Sequence, residues 1–192
     1  MKIAYIKEGA AKGRVLIGIE DDSGIHAFSV TVATYMAIGA PSRYSELNER
    51  DADAVRSEDE RYRAMKKAVS ILAASDKSAY TLRSKLRQGG FSRESADEAI
   101  NECVARGYID EDRQLRRFIE REANESLRGR FYIKRKLSAK GYRGADIDRI
   151  TRELVESGEI DFKANFERAA EKKGAYTEEE RRALSYKLGY KV

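Results

Sequence analysis

The chain has 192 residues, 37% of them charged, with one proline and one cysteine. This length can bury about 70% of the unfolded surface, enough for one large domain or two small ones. A high charge content with so little proline favours long solvated helices over a proline-rich sandwich. No long apolar run or charged leader indicates a membrane span or secretion, and a lone cysteine fits a reducing compartment, so we expect a cytoplasmic protein.

The charge is unevenly distributed along the chain. Residues 1–60 hold seven basic and eleven acidic side chains, whereas residues 61–192 hold 31 basic and 22 acidic ones. The net charge of +5 therefore comes from the C-terminal part. Such asymmetry indicates a polyanionic partner, although it does not identify one.

The N-terminal segment, residues 1–40, is predicted to form strands. KIAYIKE alternates polar and apolar residues, and RVLIGIE and IHAFSVTV flank the turn sequence DDSG. Asp, Ser and Gly tolerate the backbone of a tight reversal. We expect a small antiparallel sheet over residues 2–33 that packs on a helical neighbour, because an isolated hairpin is marginal in water.

Residues 41–57 are predicted to be a connector, broken by Pro41, with a short helix around Glu49–Arg56. Ser57 and Glu60 have the spacing of a capping box, in which a hydroxyl and a carboxylate satisfy free N–H groups at a helix start. We therefore expect the first long helix to begin near residue 58.

Beyond residue 58 the sequence repeats itself at an offset of 51 residues. RSKLRQGGF (83–91) corresponds to KRKLSAKGY (134–142), and Gly107, Ile109 and Asp110 correspond to Gly158, Ile160 and Asp161. Matches in several elements at one offset indicate a duplicated supersecondary unit. We predict a first repeat over 58–109, a second over 110–160 and a partial third over 161–192, where LSYKLGY echoes LSAKGY.

Each full repeat is predicted to contain three helices, near 58–74, 78–88 and 93–106 in the first and near 111–126, 129–140 and 145–157 in the second. Gly90, Gly107, Gly141 and Gly158 stand where helices end, since glycine accepts the left-handed conformation. The predicted fold is mainly α. Tandem three-helix repeats stack into an elongated, curved array behind the small N-terminal sheet, because one repeat alone has too narrow a core.

The second helix of each repeat is predicted to present a basic surface. Seven basic and no acidic residues lie between Arg128 and Arg143, and five basic and no acidic ones between Lys77 and Arg93. Surface helices normally mix both signs, so a single sign indicates attraction to phosphates or to an acidic protein groove. The alternative is a merely solvated surface. The candidate binding residues are Arg83, Lys85, Arg87, Lys134, Arg135, Lys136 and Lys140.

The sequence offers little for catalysis. His26 is the only histidine and cannot form a histidine metal cluster, and Cys103 on the inner side of a helix is expected to be a small buried residue. Asp110, Glu111 and Asp112 could hold a cation, but Asp110 and Asp161 fit better as caps of the following helices. We expect a binding protein that has no cofactor, no metal and no enzymatic activity.

The repeated pattern L-x-x-K-L-x-x-x-G-[FY] and the junction RGYIDEDRQLRRFIERE (106–122) resemble the RecX family of bacterial recombination regulators. Residues that fall where the family has similar ones are Tyr108, Ile109, Asp110, Phe118, Gly129, Ile133, Leu137 and Gly141. Gln114 and Leu115 depart from the family pattern. The resemblance implies a protein that binds the RecA recombinase filament and suppresses its ATPase and strand exchange. We expect a monomer that contacts single-stranded DNA directly or through the filament. The alternatives are a helical-repeat module that binds DNA or RNA without a recombinase, and a metal-dependent enzyme.

Overall fold

A computed structural model describes residues 1–190 of the chain. The protein is mainly α-helical with a small antiparallel sheet at its N-terminus, as predicted. Within the described residues, no helix combines the length and the apolarity that crossing a bilayer requires. The strands and helices are β1 (Lys2–Glu8), β2 (Arg14–Asp21), β3 (Gly24–Thr31), α1 (Val32–Ala37), α2 (Glu49–Ala74), α3 (Ala79–Gln88), α4 (Arg93–Ala105), α5 (Glu111–Glu120), α6 (Arg130–Ala139), α7 (Gly144–Glu156), α8 (Phe162–Lys173) and α9 (Glu178–Leu188).

The N-terminal sheet has the strand order β1-β2-β3, and both pairs are antiparallel. Alternation places Ile3, Ile17, Ile19 and Val30 on one surface, where they are buried against Leu47, Ala52 and Val55. The last two belong to α2, so the sheet packs on a helix as expected for strands that cannot be stable alone. The predicted sheet over residues 2–33 is confirmed.

The predicted start of the first long helix is wrong. The helix α2 begins at Glu49 and passes through Ser57 without a break, so Ser57 and Glu60 form no capping box. Asn48 caps the helix instead, because its side-chain oxygen accepts the Asp51 N–H at 2.8 Å. Residues 49–56, predicted to be a short helix in the connector, are the first two turns of α2.

Carboxylates of α2 hold the edge strand of the sheet and the helix α4. Asp59 accepts the Ser29 N–H at 2.8 Å and Glu58 accepts the Thr31 N–H at 2.5 Å. Glu60 accepts the N–H and the hydroxyl of Ser92, at 2.6 and 2.9 Å, just before α4. The acidic run that suggested a helix cap therefore satisfies backbone donors of other elements.

The duplication predicted from the sequence recurs in the helix boundaries. The bounds of α3 and α4, shifted by 51 residues, are the bounds of α6 and α7, and α5 and α8 start at the same offset. All four glycines expected at helix ends have φ between 69° and 86°. Leu86 and Leu137, equivalent by the same offset, are both fully buried. The tandem helical repeats are therefore present locally as well as in the sequence.

The second repeat surrounds an apolar core that includes Leu115, Ile119, Ile133, Leu137 and Ile150. Its first helix departs from the prediction. The helix α5 ends at Glu120, and residues Arg121–Glu125 form a π-helical turn that ends before Leu127, whose φ is 52°.

The partial third repeat consists of α8 and α9. Asp161 caps α8, and Thr177 with Glu180 forms a capping box at the start of α9. The C-terminal carbonyls of α9 then accept N–H groups at the start of α6: Gly129 donates to Leu188 at 2.8 Å and Phe131 donates to Gly189 at 2.9 Å. The last two residues of this predicted repeat, 191 and 192, lie outside the described residues.

The chain divides into two compact units. One comprises Met1–Ala74 with Arg83–Ala105, and the other comprises Ser75–Leu82 with the chain from Arg106 onward. The helix α3 therefore contributes its first turn to one unit and its remainder to the other. The elongated, curved arrangement of the repeats and the domain limits drawn from the sequence stay predictions.

Candidate functional site

The seven candidate cations lie on α3, on α6 and at the end of α6. Arg83, Lys85, Arg87, Arg135 and Lys140 are exposed, whereas Lys134 and Lys136 are half-buried. Leu82, Leu86, Ile133 and Leu137 point the other way and are buried. The helical spacing therefore separates a basic surface from an apolar one, as the sequence predicted.

Two of the seven cations form equivalent ion pairs in the two repeats. Arg83 binds Asp97 at 2.5 Å, and Lys134 binds Asp148 at 2.6 Å, with both partners shifted by the repeat offset. The hydrogen bond from Arg83 lowers the pKa of the Asp97 carboxyl, and the one from Lys134 lowers the pKa of the Asp148 carboxyl. These cations hold the second helix of each repeat to the third, and their charge is largely compensated.

Lys136 is compensated in a different way. Its ammonium lies 2.8 Å from a carboxylate oxygen of Glu122, which is only 5% exposed in the π-helical turn. The equivalent residues in the first repeat are Lys85 and Ile71, so Lys85 has no such partner. Lys85, Arg87, Arg135 and Lys140 form no ion pair with any residue from 1 to 190.

Two aromatic rings organise the cations of the second repeat. The ring of Tyr132 has the Arg128 guanidinium 4.6 Å and the Lys136 ammonium 5.5 Å from its centroid. The ring of Phe118 has Arg121, Lys136 and Lys140 at 5.4, 5.2 and 5.6 Å. We call this group the basic–aromatic patch; it comprises Phe118, Arg121, Arg128, Tyr132, Arg135, Lys136 and Lys140.

Both rings of the patch are held in place by the apolar core beneath them. Phe118 and Tyr132 are partly buried and pack against the core of the second repeat. Cations above such rings gain cation–π stabilisation and lose side-chain freedom before any ligand arrives. Five cations converge while Glu122 is the carboxylate paired within the group, so the patch attracts anions.

The sequence analysis missed four members of the patch: Arg121, Arg128, Phe118 and Tyr132. A signal was present for part of it, because Arg128, Tyr132, Lys136 and Lys140 are spaced at four-residue intervals and the last three lie in or at the end of α6. The contribution of Phe118 and Arg121 has no such signal, since it depends on how α5 and the π-helical turn pack beside α6.

The residues considered for catalysis occupy separate positions. Cys103 is buried, with its sulfur 3.9 Å from that of Met65. His26 is exposed on β3, where a ring nitrogen lies 2.7 Å from the Ser23 hydroxyl oxygen. Among residues 1–190, no three His, Cys, Asp or Glu side chains gather as they would around a metal ion.

The acidic run at 110–112 is divided among three contacts. Asp110 caps α5 by accepting the Arg113 N–H at 3.0 Å, as predicted. Glu111 accepts the Ala79 N–H at the start of α3 at 2.7 Å, and Asp112 accepts from the Arg149 guanidinium at 2.7 Å. The three carboxylates therefore serve helix ends and an ion pair.

Comparison with known proteins finds a family model that matches most of the first repeat. Residues 64–103 match the family model of the first three-helix domain of RecX. A regulatory protein RecX from Lactobacillus johnsonii is 28% identical over 139 residues, which are 72% of this chain and 50% of that protein. The chain thus spans about half the length of the curated relative it matches.

Solved structures share the fold. A crystal structure of a regulatory protein RecX superposes with a TM-score of 0.69 at 18% identity, covering 98% of this chain and 92% of the other. The RecX structure from Lactobacillus salivarius gives a TM-score of 0.56 at 17% identity, covering 68% and 86%. At this identity the likeness establishes the fold. The family model, the curated relative and the shared fold all agree with the resemblance of the repeat motifs to the RecX family.

Proposed function

We propose that the chain binds the RecA recombinase filament on single-stranded DNA and inhibits its ATPase and strand-exchange activities. The likeness to RecX proteins in a family model, a curated relative and the fold supports this proposal. The observation that carries the assignment to particular residues is the basic–aromatic patch, where five cations converge over two rings. In this proposal the protein acts by binding and performs no chemistry of its own.

The physical basis is electrostatic attraction to a nucleoprotein polymer. A filament on DNA presents phosphates, and cations that neutralise phosphates release bound counterions, so binding weakens steeply as salt increases. Arg135 and Lys140 have no ion-pair partner among the described residues, and Arg128 lies over Tyr132 without one. These three residues are expected to supply most of the attraction, while Lys134 and Lys136 contribute less because Asp148 and Glu122 compensate them.

The test is the single-strand-dependent ATPase of the recombinase from the same organism, with this protein added in substoichiometric amounts. The test variant is Arg128→Glu, Arg135→Glu and Lys140→Glu. The matched control is Lys67→Glu, Arg152→Glu and Arg182→Glu, which changes the net charge equally at sites that form no ion pair with the described residues.

We expect the patch variant to need at least about tenfold more protein for half-inhibition, because each lost phosphate contact removes favourable binding free energy. The slope of log affinity against log salt should fall by about 2, at about 0.7 per single-strand phosphate contact. The control should stay within about twofold of the original protein. Equal inhibition by the two variants, both folded by circular dichroism, removes the patch from the binding site.

The runner-up function is a helical-repeat module that binds DNA or RNA without a recombinase. The aromatic members of the patch favour it, since rings beside cations also occur in proteins that bind single strands. Gel-shift titrations with and without recombinase separate the two functions. Equal affinity for bare oligonucleotide and for the filament supports the module and contradicts filament recognition.

A further inference from the structure

The compact unit that contains the second repeat has another candidate surface, which differs in chemistry from the basic–aromatic patch. A cavity of about 650 Å³ lies among α6, α7, α8 and α9. Its walls are aromatic and its rim is basic. The residues that matter here are Phe131, Phe162, Phe166, Tyr190, Arg130 and Lys163.

The aromatic walls are fixed in position. The ring of Tyr190 meets Phe162 edge-on, with centroids 6.4 Å apart and planes at 80°, and meets Phe166 at 5.1 Å and 59°. The Tyr190 hydroxyl donates to the Leu127 carbonyl at 3.1 Å, and burial raises the pKa of this phenol to about 12. Phe131 is 52% exposed and so leaves apolar surface available at the opening.

The rim carries uncompensated positive charge. Lys163 has no carboxylate within 4 Å among residues 1–190, and Glu167, one turn further along α8, is bonded to Arg181 at 2.6 Å. Arg130 lies 3.7 Å from Asp148, whose other oxygen is already bound by Lys134 at 2.6 Å. One carboxylate is therefore shared by two of the three cations lining the cavity, and Lys163 is left over.

The duplication indicates what such a rim binds. The residues equivalent to Arg130 and Phe162 at the repeat offset are Ala79 and Glu111. Glu111 accepts the Ala79 N–H at 2.7 Å at the start of α3. Phe162 has no acceptor to offer, and the Arg130 N–H donates to no described atom. The start of α3 is thus bound by a carboxylate of the chain itself, whereas the equivalent position beside the start of α6 holds the aromatic ring of Phe162.

We propose that this cavity binds an acidic segment of a partner protein. An aromatic or long aliphatic side chain of the segment enters between the rings, where it buries apolar surface. A neighbouring carboxylate is bound by Arg130 and Lys163 at the rim, close to the start of α6, where a negative charge is favoured. This binding is separate from the basic–aromatic patch and requires no recombinase.

Geometry favours a peptide over a nucleic acid. Proteins that bind single strands present open ring faces along a groove, so that successive bases can stack. Here the rings meet edge-on or tilted around a single cavity, and the group that binds the start of α3 within this chain is a carboxylate rather than a phosphate. A single anchoring side chain with an adjacent acid fits that space.

The test uses synthetic peptides and the full chain labelled with nitrogen-15. The probe is the pentapeptide Asp-Asp-Phe-Glu-Glu, compared with Asp-Asp-Ala-Glu-Glu, with Lys-Lys-Phe-Lys-Lys and with a short oligothymidylate. Amide shifts are followed during each titration. We expect the acidic peptide with phenylalanine to bind and to shift the resonances of Phe131, Ser185 and their neighbours. The alanine and the basic peptides should bind at least about tenfold more weakly, which corresponds to about 1.4 kcal/mol.

The variants Lys163→Asp and Lys172→Asp provide the matched pair. Both reverse an exposed charge on α8, but only Lys163 lines the cavity. Aspartate is compatible with the helix at position 163, because Asp112 occupies the equivalent position in α5. We expect K163D to weaken the acidic peptide at least about tenfold and K172D less than about twofold. Failure of the acidic peptide to bind, shifts confined to other surfaces, or binding of oligothymidylate in its place each overturns the proposal.

Discussion

The pair formed by Lys136 and Glu122 gives a prediction whose size follows from the geometry. Glu122 is 5% exposed, and its carboxylate has the Lys136 ammonium at 2.8 Å and the Arg121 guanidinium at 3.8 Å. The change Lys136→Met removes the nearer cation and keeps most of the apolar stem. The matched control is Lys85→Met, the same change at the equivalent position, where Ile71 replaces the glutamate.

The expected loss is about 2 kcal/mol of unfolding free energy. Two unit charges 2.8 Å apart attract by about 6 kcal/mol at an effective dielectric constant of about 20. The cost of desolvating the two ions offsets much of this, and the Lys136 side chain is 38% exposed, so water screens the pair. Arg121 also remains near the carboxylate. The net loss of stability is therefore smaller than the roughly 3–5 kcal/mol that follows when one partner of a fully buried ion pair is removed.

Thermal unfolding followed by circular dichroism at 222 nm measures the effect. For a chain of this size, 1 kcal/mol corresponds to about 2–4 °C, so K136M should lower Tm by about 4–8 °C. K85M should change the stability by less than about 0.5 kcal/mol, as is usual for a surface substitution that removes no partner. The double variant Glu122→Ile with Lys136→Met removes both charges and should recover to within about 1 kcal/mol of the original protein.

Two outcomes would refute this reasoning. Equal shifts for K136M and K85M would mean that Glu122 gains nothing from Lys136. A double variant no more stable than K136M would mean that loss of the lysine stem, rather than the unpaired carboxylate, destabilises the protein.

Two further predictions concern the second repeat. Gly129→Ala should lower the unfolding free energy by at least about 2 kcal/mol, because the added Cβ overlaps the Gly189 carbonyl oxygen. The control is Gly144→Ala, whose Cβ meets only a lysine methylene at 4.0 Å and which should be nearly neutral. Urea titration measures both variants. Burial, together with the charges of Glu111 and Asp76, raises the pKa of Tyr142 from 10.0 to about 12. The folded state therefore holds this phenol proton more tightly, so unfolding free energy falls between pH 10 and 12, and Tyr142→Phe should remove that part of the fall. The difference in 295 nm absorbance between the two proteins should titrate near pH 12; a midpoint near pH 10 contradicts it.

The sequence predicted the helical repeats well because both copies mark their helix ends with glycine and their core positions with leucine. Each glycine at a helix end is required by a left-handed backbone, and each buried leucine recurs at the same offset, so local signals agree with tertiary packing. The start of α2 was missed for the opposite reason. Ser57 and Glu60 have cap spacing, but Ala52 and Val55 bury against the sheet, and that long-range contact continues the helix upstream.

The sequence predicted that the candidate cations face outward, but it did not predict which of them are neutralised. A run without acidic residues indicated seven free cations, yet Arg83, Lys134 and Lys136 each meet a carboxylate that is 14 residues away in the chain. Such partners come from neighbouring helices, and helical spacing within one element cannot show them. The departure from the family pattern at Gln114 has a simple outcome, since its side-chain oxygen accepts the Tyr142 hydroxyl at 2.7 Å.

The repeats differ in where uncompensated positive charge lies. At the position of Ile71 in the first repeat the second has Glu122, which neutralises Lys136, while Lys85 forms no ion pair with residues 1–190. Where the second repeat has Glu111 and Asp112, the third has Phe162, which offers no acceptor, and Lys163, which has no carboxylate within 4 Å among residues 1–190. Both differences change which anions the surface can attract, while the buried leucines Leu86 and Leu137 stay equivalent. The repeats therefore share one scaffold, and their binding properties depend on single charged or aromatic residues at equivalent places.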